Sequence, residues 1–252
     1  MLETTPALSI VIPCYNEANR LPRTLKYTIA FLSQRGAPSE IIVVSDGSKD
    51  DTAIAAEQIL SGLPSHIAHS VIEYTPNRGK GEAVRVGMLA ARGERVLFMD
   101  ADYAVPLEDL ARAEALLSTG ISIAIGSRAT EATEIVQSQS FIRERFAKLF
   151  GLIQRTYLGL KIQDTQCGFK LFTQAAAHDI FSETKLTSVI FDGEVLWLAR
   201  RMCYSVAEFP VEWTHDQDTR ISYTPLRALA VLGDMIRIPL LHSKTKFVKS
   251  TK

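Results

Sequence analysis

Two aspartates, Asp100 and Asp102, stand two residues apart at the end of the apolar run Val96-Leu97-Phe98-Met99. Side chains at i and i+2 of an extended segment point to the same side, so the two carboxylates converge just beyond a strand end. Two hard oxygen anions there suit Mg2+ or Mn2+, which keep some of their water and take further oxygens from substrate phosphates. A plain surface turn would use the same residue type. Other polar groups stand in comparable places. Asp46 follows the run Glu40 to Ser45 and precedes Gly47, a position suited to hydrogen bonding a nucleoside or to capping a helix. Glu17, after the first apolar run, faces the same choice between a ribose contact and a cap. In Asn77-Arg78-Gly79-Lys80-Gly81 the backbone amides and one ammonium could hold a diphosphate, and a simple turn into a helix would use the same glycines.

These groups need a scaffold to bring them together. Leu8 to Cys14 reads as a strand, and a helix follows to about Arg35, with Pro22 at its start and Gly36 at its end. Glu40–Ser45 and Ser70–Tyr74 are predicted strands, with a helix over Thr52–Leu60 between them. A helix after the lysine loop runs to Arg92, and the strand ending at Asp100 comes next. Pro106–Ser118 is predicted helix and Ile121–Ile125 strand, leading to Gly126-Ser127-Arg128. This alternation predicts an α/β fold with a mostly parallel, Rossmann-like sheet flanked by helices. Ligands collect at the carboxyl ends of such strands. Tyr15-Asn16-Glu17, Asp46, the lysine loop, Asp100 with Asp102, and Arg128 all fall there.

The second half changes character. Ser138–Leu160 is predicted helix, with Ile142, Phe146, Leu149, Ile153 and Tyr157 on one face and Arg143, Arg145, Lys148 and Arg155 on the other. Asp164 to Lys170 leads into a short strand and a helix. Phe191-Asp192-Gly193-Glu194 opens a helix to about Arg201. Val206–Trp213 is predicted to be an edge strand, because Pro210 lacks a ladder donor. Pro225–Ile238 is a further helix whose charges, Arg227, Asp234 and Arg237, form one narrow stripe. Lys244, Lys246, Lys249 and Lys252 surround Phe247 near the end.

Lys+Arg and Asp+Glu balance at 28 each, so no net field favours a nucleic-acid partner. Composition, 46% hydrophobic and 22% charged, is that of an ordinary globular chain with ample core. Cys14, Cys167 and Cys203 stand far apart with no CxxC, which speaks against a disulfide framework or zinc site and fits a reducing cytosol. They are expected as small core or pocket-wall residues, and Trp197 and Trp213 as packing residues. No signal peptide or membrane-spanning run stands out.

IVIPCYNEANRLP, VVSDGSKDDT, NRGKGEAVRVGM, VLFMDADYAVP, AIGSR, DTQCGFKLF and FDGEVLWLARR occur in the order seen in family 2 glycosyltransferases of the GT-A fold. The resemblance runs from about Leu8 to Leu240 and is closest to the dolichyl-phosphate β-glucosyltransferase group and polyprenyl-phosphate sugar synthases. It implies one GT-A domain over residues 1–252, with a nucleotide-sugar half at about 8–128, an acceptor half at about 129–240 and a basic tail at 242–252. It also implies a nucleotide-sugar donor, a divalent cation and an inverting hexose transfer, with UDP-glucose as donor and a polyprenyl or dolichyl phosphate as acceptor. By position, Pro13, Tyr15, Glu17, Asp46, Lys80 and Asp100 would bind the nucleotide sugar. Asp100 and Asp102 would hold Mg2+ or Mn2+. Arg128 and Arg143 would meet the acceptor phosphate. Asp164 and Asp192 are the candidate acids beside it, joined by Arg128 as catalytic residues, and Thr165 to Lys170 would form the wall beneath the sugar.

The acceptor decides which groups matter. A sugar hydroxyl needs a general base, commonly worth roughly 10²–10⁴-fold. A phosphate monoester, with a second pKa of about 6, is largely ionised already and needs positioning and charge compensation instead. Two departures from the family stand out. Relatives often carry transmembrane segments, and their loop at His215-Asp216-Gln217-Asp218-Thr219-Arg220 commonly resembles Gly-Ser-Lys. The basic helix, the Pro225–Ile238 helix and the lysine tail could instead rest on an anionic bilayer or pack against the sheet. The expected location is cytoplasmic, including the cytoplasmic face of a membrane. A GDP-mannose donor, a saccharide or protein hydroxyl acceptor, and a non-catalytic nucleotide-sugar sensor are the alternatives.

Overall fold

The computed structural model describes residues 5–128, 151–214 and 225–245. Strands β1 (Leu8–Cys14), β2 (Ser39–Asp46), β3 (Ile67–Tyr74), β4 (Arg95–Met99), β5 (Ile123–Ser127), β6 (Phe169–Thr173) and β7 (Val206–Pro210) form one sheet in the order β3-β2-β1-β4-β6-β5-β7. All neighbours run parallel except β6, which is antiparallel to both β4 and β5. Helices α1 (Leu21–Arg35), α2 (Thr52–Leu60), α3 (Lys80–Ala90), α4 (Leu110–Ser118), α5 (helical residues 151–158), α6 (Gln174–Glu183), α7 (Phe191–Arg201) and α8 (Pro225–Leu241) cover it. The α/β fold expected from the alternating pattern is therefore present.

β1 and β2 are buried along their whole length, which is why their sequences read as continuous apolar runs rather than alternating ones. One face of the sheet, with Val11, Val44 and Phe98, packs against α3, α6 and α7. The other, with Ile10, Ile12 and Leu97, packs against α1 and α4. Gly36, at φ +64°, closes α1 by donating its N–H to Leu32 O, as the sequence predicts.

Several boundaries differ from the sequence reading for identifiable reasons. β3 begins at Ile67 rather than Ser70, because Ala68 and His69 join the ladder through their backbones opposite Glu40 and Ile41. β7 is the expected edge strand but stops at Pro210: Glu212 N donates to Asp109 Oδ2, drawing the chain off the sheet. β5 lies two residues later than expected and includes Gly126 and Ser127, which pair with Phe209 and Pro210 of β7. α8 runs past Pro239 to Leu241. The expected helix over 138–160 is helical at residues 151–158, while Ile142, Arg143, Arg145, Phe146, Lys148 and Leu149 lie outside the described residues. So do the loop from His215 to Arg220 and Lys246, Phe247, Lys249 and Lys252.

α3 approaches the sheet closely because residue 87 has no side chain. A Cβ on Gly87 would lie 2.3 Å from Val11 Cγ1 and 3.0 Å from Val44 Cγ2, both on central strands that cannot yield. Ala normally improves a helix interior by about 1 kcal/mol over Gly. At this site the overlap is expected to win, so that Gly87→Ala lowers stability by roughly 1–3 kcal/mol. The measurement is the urea midpoint at unchanged slope. A variant as stable as the parent would show that Gly87 does not set the spacing.

Candidate active site

The chain leaves β4 through Asp100, whose N–H donates to Gly168 O at 3.0 Å. Its carboxylate Oδ1 lies 2.7 Å from Lys80 Nζ, at the start of α3. Ala101 O accepts the buried Thr24 hydroxyl at 2.6 Å, and Asp102 Oδ1 accepts Ala104 N–H at 3.1 Å, closing an Asx turn. Tyr103 holds φ +55°, a region costly for a bulky residue, with its ring stacked 4.9 Å from that of Tyr27 on α1. Burial, and then the charge of Asp100, raise the Asp102 carboxyl above its ordinary value.

Among the described residues no group of three or more His, Cys, Asp or Glu forms a metal cage. The donor set at this turn is two hard carboxylates of like charge, with an ammonium as the counter-charge at one of them. That fits Mg2+ or Mn2+ completed by substrate oxygens and water, and it does not fit a closed zinc site. Asp100 and Asp102 would hold the ion.

Asp46, at the end of β2, accepts N–H groups from Asn77 Nδ2, Arg78 and Gly79 at 2.9, 2.7 and 2.9 Å. Gly81 N–H donates to Thr187 O at 2.9 Å. Three of the amides that the sequence offers to a diphosphate, those of Arg78, Gly79 and Gly81, are thus bonded within the protein, and the Lys80 ammonium stands among them. Gly47, at φ +64°, is required for the same contact, since a Cβ there would lie 2.4 Å from Asn77 N. Glu17 pairs with Arg20 at 2.6 Å, and it is its backbone carbonyl that accepts from Arg20 and Leu21 at the start of α1. Pro13 is buried in β1 and Tyr15 is exposed just beyond it, so Pro13, Tyr15, Glu17 and Asp46 share one edge of the sheet.

Because β6 runs against its neighbours, the segment before it reaches that same edge. Arg128, after β5, forks onto Asp164 with Nε 2.7 Å from Oδ2 and Nη2 2.9 Å from Oδ1, and its own N–H adds a third bond at 3.0 Å. Glu208 of β7 fixes the pair from behind by accepting the Gln163 and Asp164 amides, each at 2.8 Å. Arg128 Cζ lies 5.5 Å from the Trp213 ring centre. Lys170 Nζ, almost wholly buried, donates to Asp192 Oδ1 at 2.5 Å and to Cys167 O at 2.6 Å. Arg143 lies outside the described residues.

The two candidate acids are shifted in opposite directions. Burial would raise Asp164, but the bonds and charge of Arg128 outweigh it and hold its carboxyl below the usual range. Burial raises Asp192, and Lys170 and Lys80 only partly bring it back. Cys167 is buried in the core, one of the two places expected for it, its thiol pushed up to about 12 by burial. Cys14 is buried too, whereas Cys203 is exposed at φ +64°, not in the core as expected, because the turn after α7 carries it outward.

Glu208 and Thr24 carry no mark in the sequence that separates them from ordinary strand and helix residues, and Gly168 is expected there only as part of the wall beneath the sugar. Lys170 did carry a signal: a lysine between Phe169 and Leu171 in a buried strand needs a partner. Gly168 lets the chain pass close beside Asp100, since a Cβ there would lie 2.0 Å from Asp100 Oδ2. Gly168→Ala should therefore swing the carboxylate aside and weaken activation by Mn2+ or Mg2+ about 10–100-fold. A metal titration of activity, with thermal unfolding of the metal-free protein as control, reads this. An unchanged titration would mean that the Asp100 carboxylate is not held by this contact.

Residues 9–181 match the family model described as glycosyl transferase family 2. The chain is 39% identical over 236 residues to the dolichyl-phosphate beta-glucosyltransferase of Drosophila melanogaster, covering 88% of this chain and 72% of that one. It is 36% identical over 228 residues to the enzyme of that name from Homo sapiens, covering 86% and 70%. The Saccharomyces cerevisiae enzyme of the same name is 35% identical over 253 residues, covering 93% and 75%. Among solved structures, glucosyl-3-phosphoglycerate synthase from Mycobacterium tuberculosis, in complex with Mn2+, UDP-glucose and phosphoglyceric acid, shares the fold with a TM-score of 0.63 at 19% identity, covering 93% of this chain and 79% of that one. The chain belongs to glycosyl transferase family 2 and is a glycosyltransferase of the GT-A fold.

Proposed function

We propose that the protein transfers glucose from UDP-glucose to dolichyl phosphate or a related polyprenyl phosphate, with inversion, at the cytoplasmic face of a membrane. The names of its relatives support the acceptor and the sugar, and the UDP-glucose and Mn2+ bound by the M. tuberculosis enzyme support the donor and metal. The observation that carries the reading is the Arg128–Asp164 fork. Asp164 is held as an anion and spends both oxygens on a guanidinium, so it is poorly placed to take a proton. It presents Arg128 instead, which suits an acceptor that arrives already charged.

The step needs no proton removed. An anionic oxygen of the acceptor phosphate bonds to the anomeric carbon as the bond from that carbon to the UDP β-phosphate oxygen breaks, and UDP leaves with the electron pair. Arg128, with Arg143 as a second guanidinium, orients the acceptor and offsets its repulsion from the diphosphate. Lys80 adds positive charge on the leaving side. Pro13, Tyr15, Glu17 and Asp46 line the nucleoside end. Asp192, carried on the first turn of α7 and fixed by Lys170, is the acid beside the acceptor. Asp100 and Asp102 would hold a divalent ion, which would supply positive charge to the diphosphate.

No described helix is long and apolar enough to cross a membrane. α5 and α8 do two things at once: Leu158, Met235 and Ile238 pack into the core, while Leu152, Tyr157, Ile236 and Leu240 remain exposed. Tyr157 joins the two helices by donating its hydroxyl to Ile236 O at 3.1 Å. This apolar face, with Arg237 beside it, suits the interfacial region of an anionic bilayer.

With Mg2+ or Mn2+ and a polyprenyl phosphate, UDP-glucose should yield a glucosyl-phosphoryl lipid and GDP-mannose in parallel should not, with the product lost in Asp102→Ala. Arg128→Ala should lower turnover by about 10²–10³-fold, as removal of a donor aimed at reacting charge does, and at least as much as Asp164→Asn. No lipid product, or the reverse order of the two variants, would count against a phosphate acceptor. Separately, the protein should float with vesicles containing anionic phospholipid, and the double variant Ile236→Glu, Leu240→Glu should not. A parent protein that stays at the bottom of the gradient would overturn the docking face.

A further inference from the structure

The glutamate of Phe191-Asp192-Gly193-Glu194 has no part in the chemistry above, yet it is fully buried. Both carboxylate oxygens are committed. They accept Lys185 N–H at 3.0 and 3.1 Å, Oε2 accepts Leu186 N–H at 2.8 Å, and Oε1 lies 2.6 Å from Nε2 of His242, just beyond α8. His242 is buried as well, and Lys185 Nζ donates to Leu241 O at 2.8 Å. One carboxylate therefore joins two separate parts of the chain, the segment 185–187 and the carboxyl end of α8.

Segment 185–187 is in turn the surface on which the lysine loop rests. Thr187 O accepts Gly81 N–H at 2.9 Å. A Cβ on Gly79 would lie 2.3 Å from Thr187 O, and one on Gly81 would lie 2.4 Å from Leu186 O. Backbone meets backbone with no side chain between, so a shift of 186–187 passes directly to the loop. Lys80 stands between those glycines and reaches Asp100 at 2.7 Å. On the other side of Glu194, α8 carries the exposed Ile236 and Leu240. A buried carboxylate that loses a partner is strongly disfavoured, so Glu194 holds its arrangement only while both sides remain in place.

We propose that Glu194 is a positioning residue of the donor site: it seats the 185–187 segment that fixes Lys80 beside Asp100, and His242 makes that seat depend on α8 being docked. The consequence for catalysis rests on Lys80 serving the diphosphate, as proposed above; the mechanical link does not. Coupling of this kind is reciprocal, so whatever holds α8 in place favours the assembled lysine loop, and a bound nucleotide sugar favours the docked helix.

Hydrogen–deuterium exchange on the full chain tests the link without any substrate. Glu194→Gln places an amide NH2 opposite backbone N–H donors, His242→Leu removes the imidazole, and His242→Gln keeps a donor at the position of Nε2. Glu194→Gln and His242→Leu should speed exchange at residues 79–83 and 185–187 by about tenfold, equivalent to about 1.4 kcal/mol of local opening. β1 and β2 should exchange as in the parent, and His242→Gln should stay near parent behaviour at every segment. If Glu194→Gln does not fold, the two His242 variants decide the matter alone. Unchanged exchange at 79–83, or faster exchange throughout the sheet, would overturn the proposal. A double-mutant cycle on the KM for UDP-glucose separates the two readings. Glu194→Gln should add little once Lys80→Ala is present. Local exchange that speeds up while both single variants keep the parent KM would uphold the link and overturn the assignment of Lys80 to the diphosphate.

Discussion

β6 lies between β4 and β5 and runs against both, so its amino end shares an edge with their carboxyl ends. The rest of the site depends on that reversal. It delivers Asp164, Cys167 and Gly168 to the edge where β1, β2 and β4 present Glu17, Asp46 and Asp100. It also lets Gly168 stand beside Asp100 with only a hydrogen between backbone and carboxylate. In an all-parallel sheet the approach to β6 would lie at the far edge, and Arg128 would have no Asp164 to fork.

The edge is arranged as alternating charges rather than as a single basic or acidic patch. Lys80 meets Asp100, Lys170 meets Asp192, and Arg128 meets Asp164. Each partner fixes the rotamer of the other, so the groups proposed to face a diphosphate and an acceptor are already held in place by their own pairs. The same pairing separates the two acids: a forked guanidinium lowers Asp164, while the ammonium groups near Asp192 do not overcome its burial. Environment, not residue type, sets the two carboxyls apart.

The alternation of strands and helices, the placement of the polar motifs at one edge and the pairing of Asp100 with Asp102 were legible in the sequence, because each follows from local periodicity or from apolar runs ending in polar residues. The direction of β6 was not, since a five-residue strand carries no mark of which way it runs. Asp46 shows the same limit. Its position after a strand suggested a nucleoside contact or a cap, and the structure has it gathering the amides of residues 78 and 79, a contact made across more than thirty residues. Glu194 and Glu208 were equally silent, because a carboxylate that organises distant backbone looks in sequence like any other glutamate. Only Lys170, a charge inside an apolar strand, announced a partner without naming it.

Lys170 and Asp192 also show why burial of charge at this edge is not a stability device. Two ions taken from water each lose several kcal/mol of solvation, and well-packed apolar residues of similar volume often serve a core as well or better. A pair whose side chains are 1% and 6% exposed is therefore a poor choice if holding the fold were its only task. Its place argues otherwise: Lys170 also binds Cys167 O, at the turn that leads from Asp164 to Gly168, and Asp192 opens the helix that carries Glu194. The pair thus ties the turn before β6 to the helix that carries Glu194. Removing either charge would leave the other buried without its ion-pair partner, so the two can change only together, and the geometry of this edge is kept by that constraint.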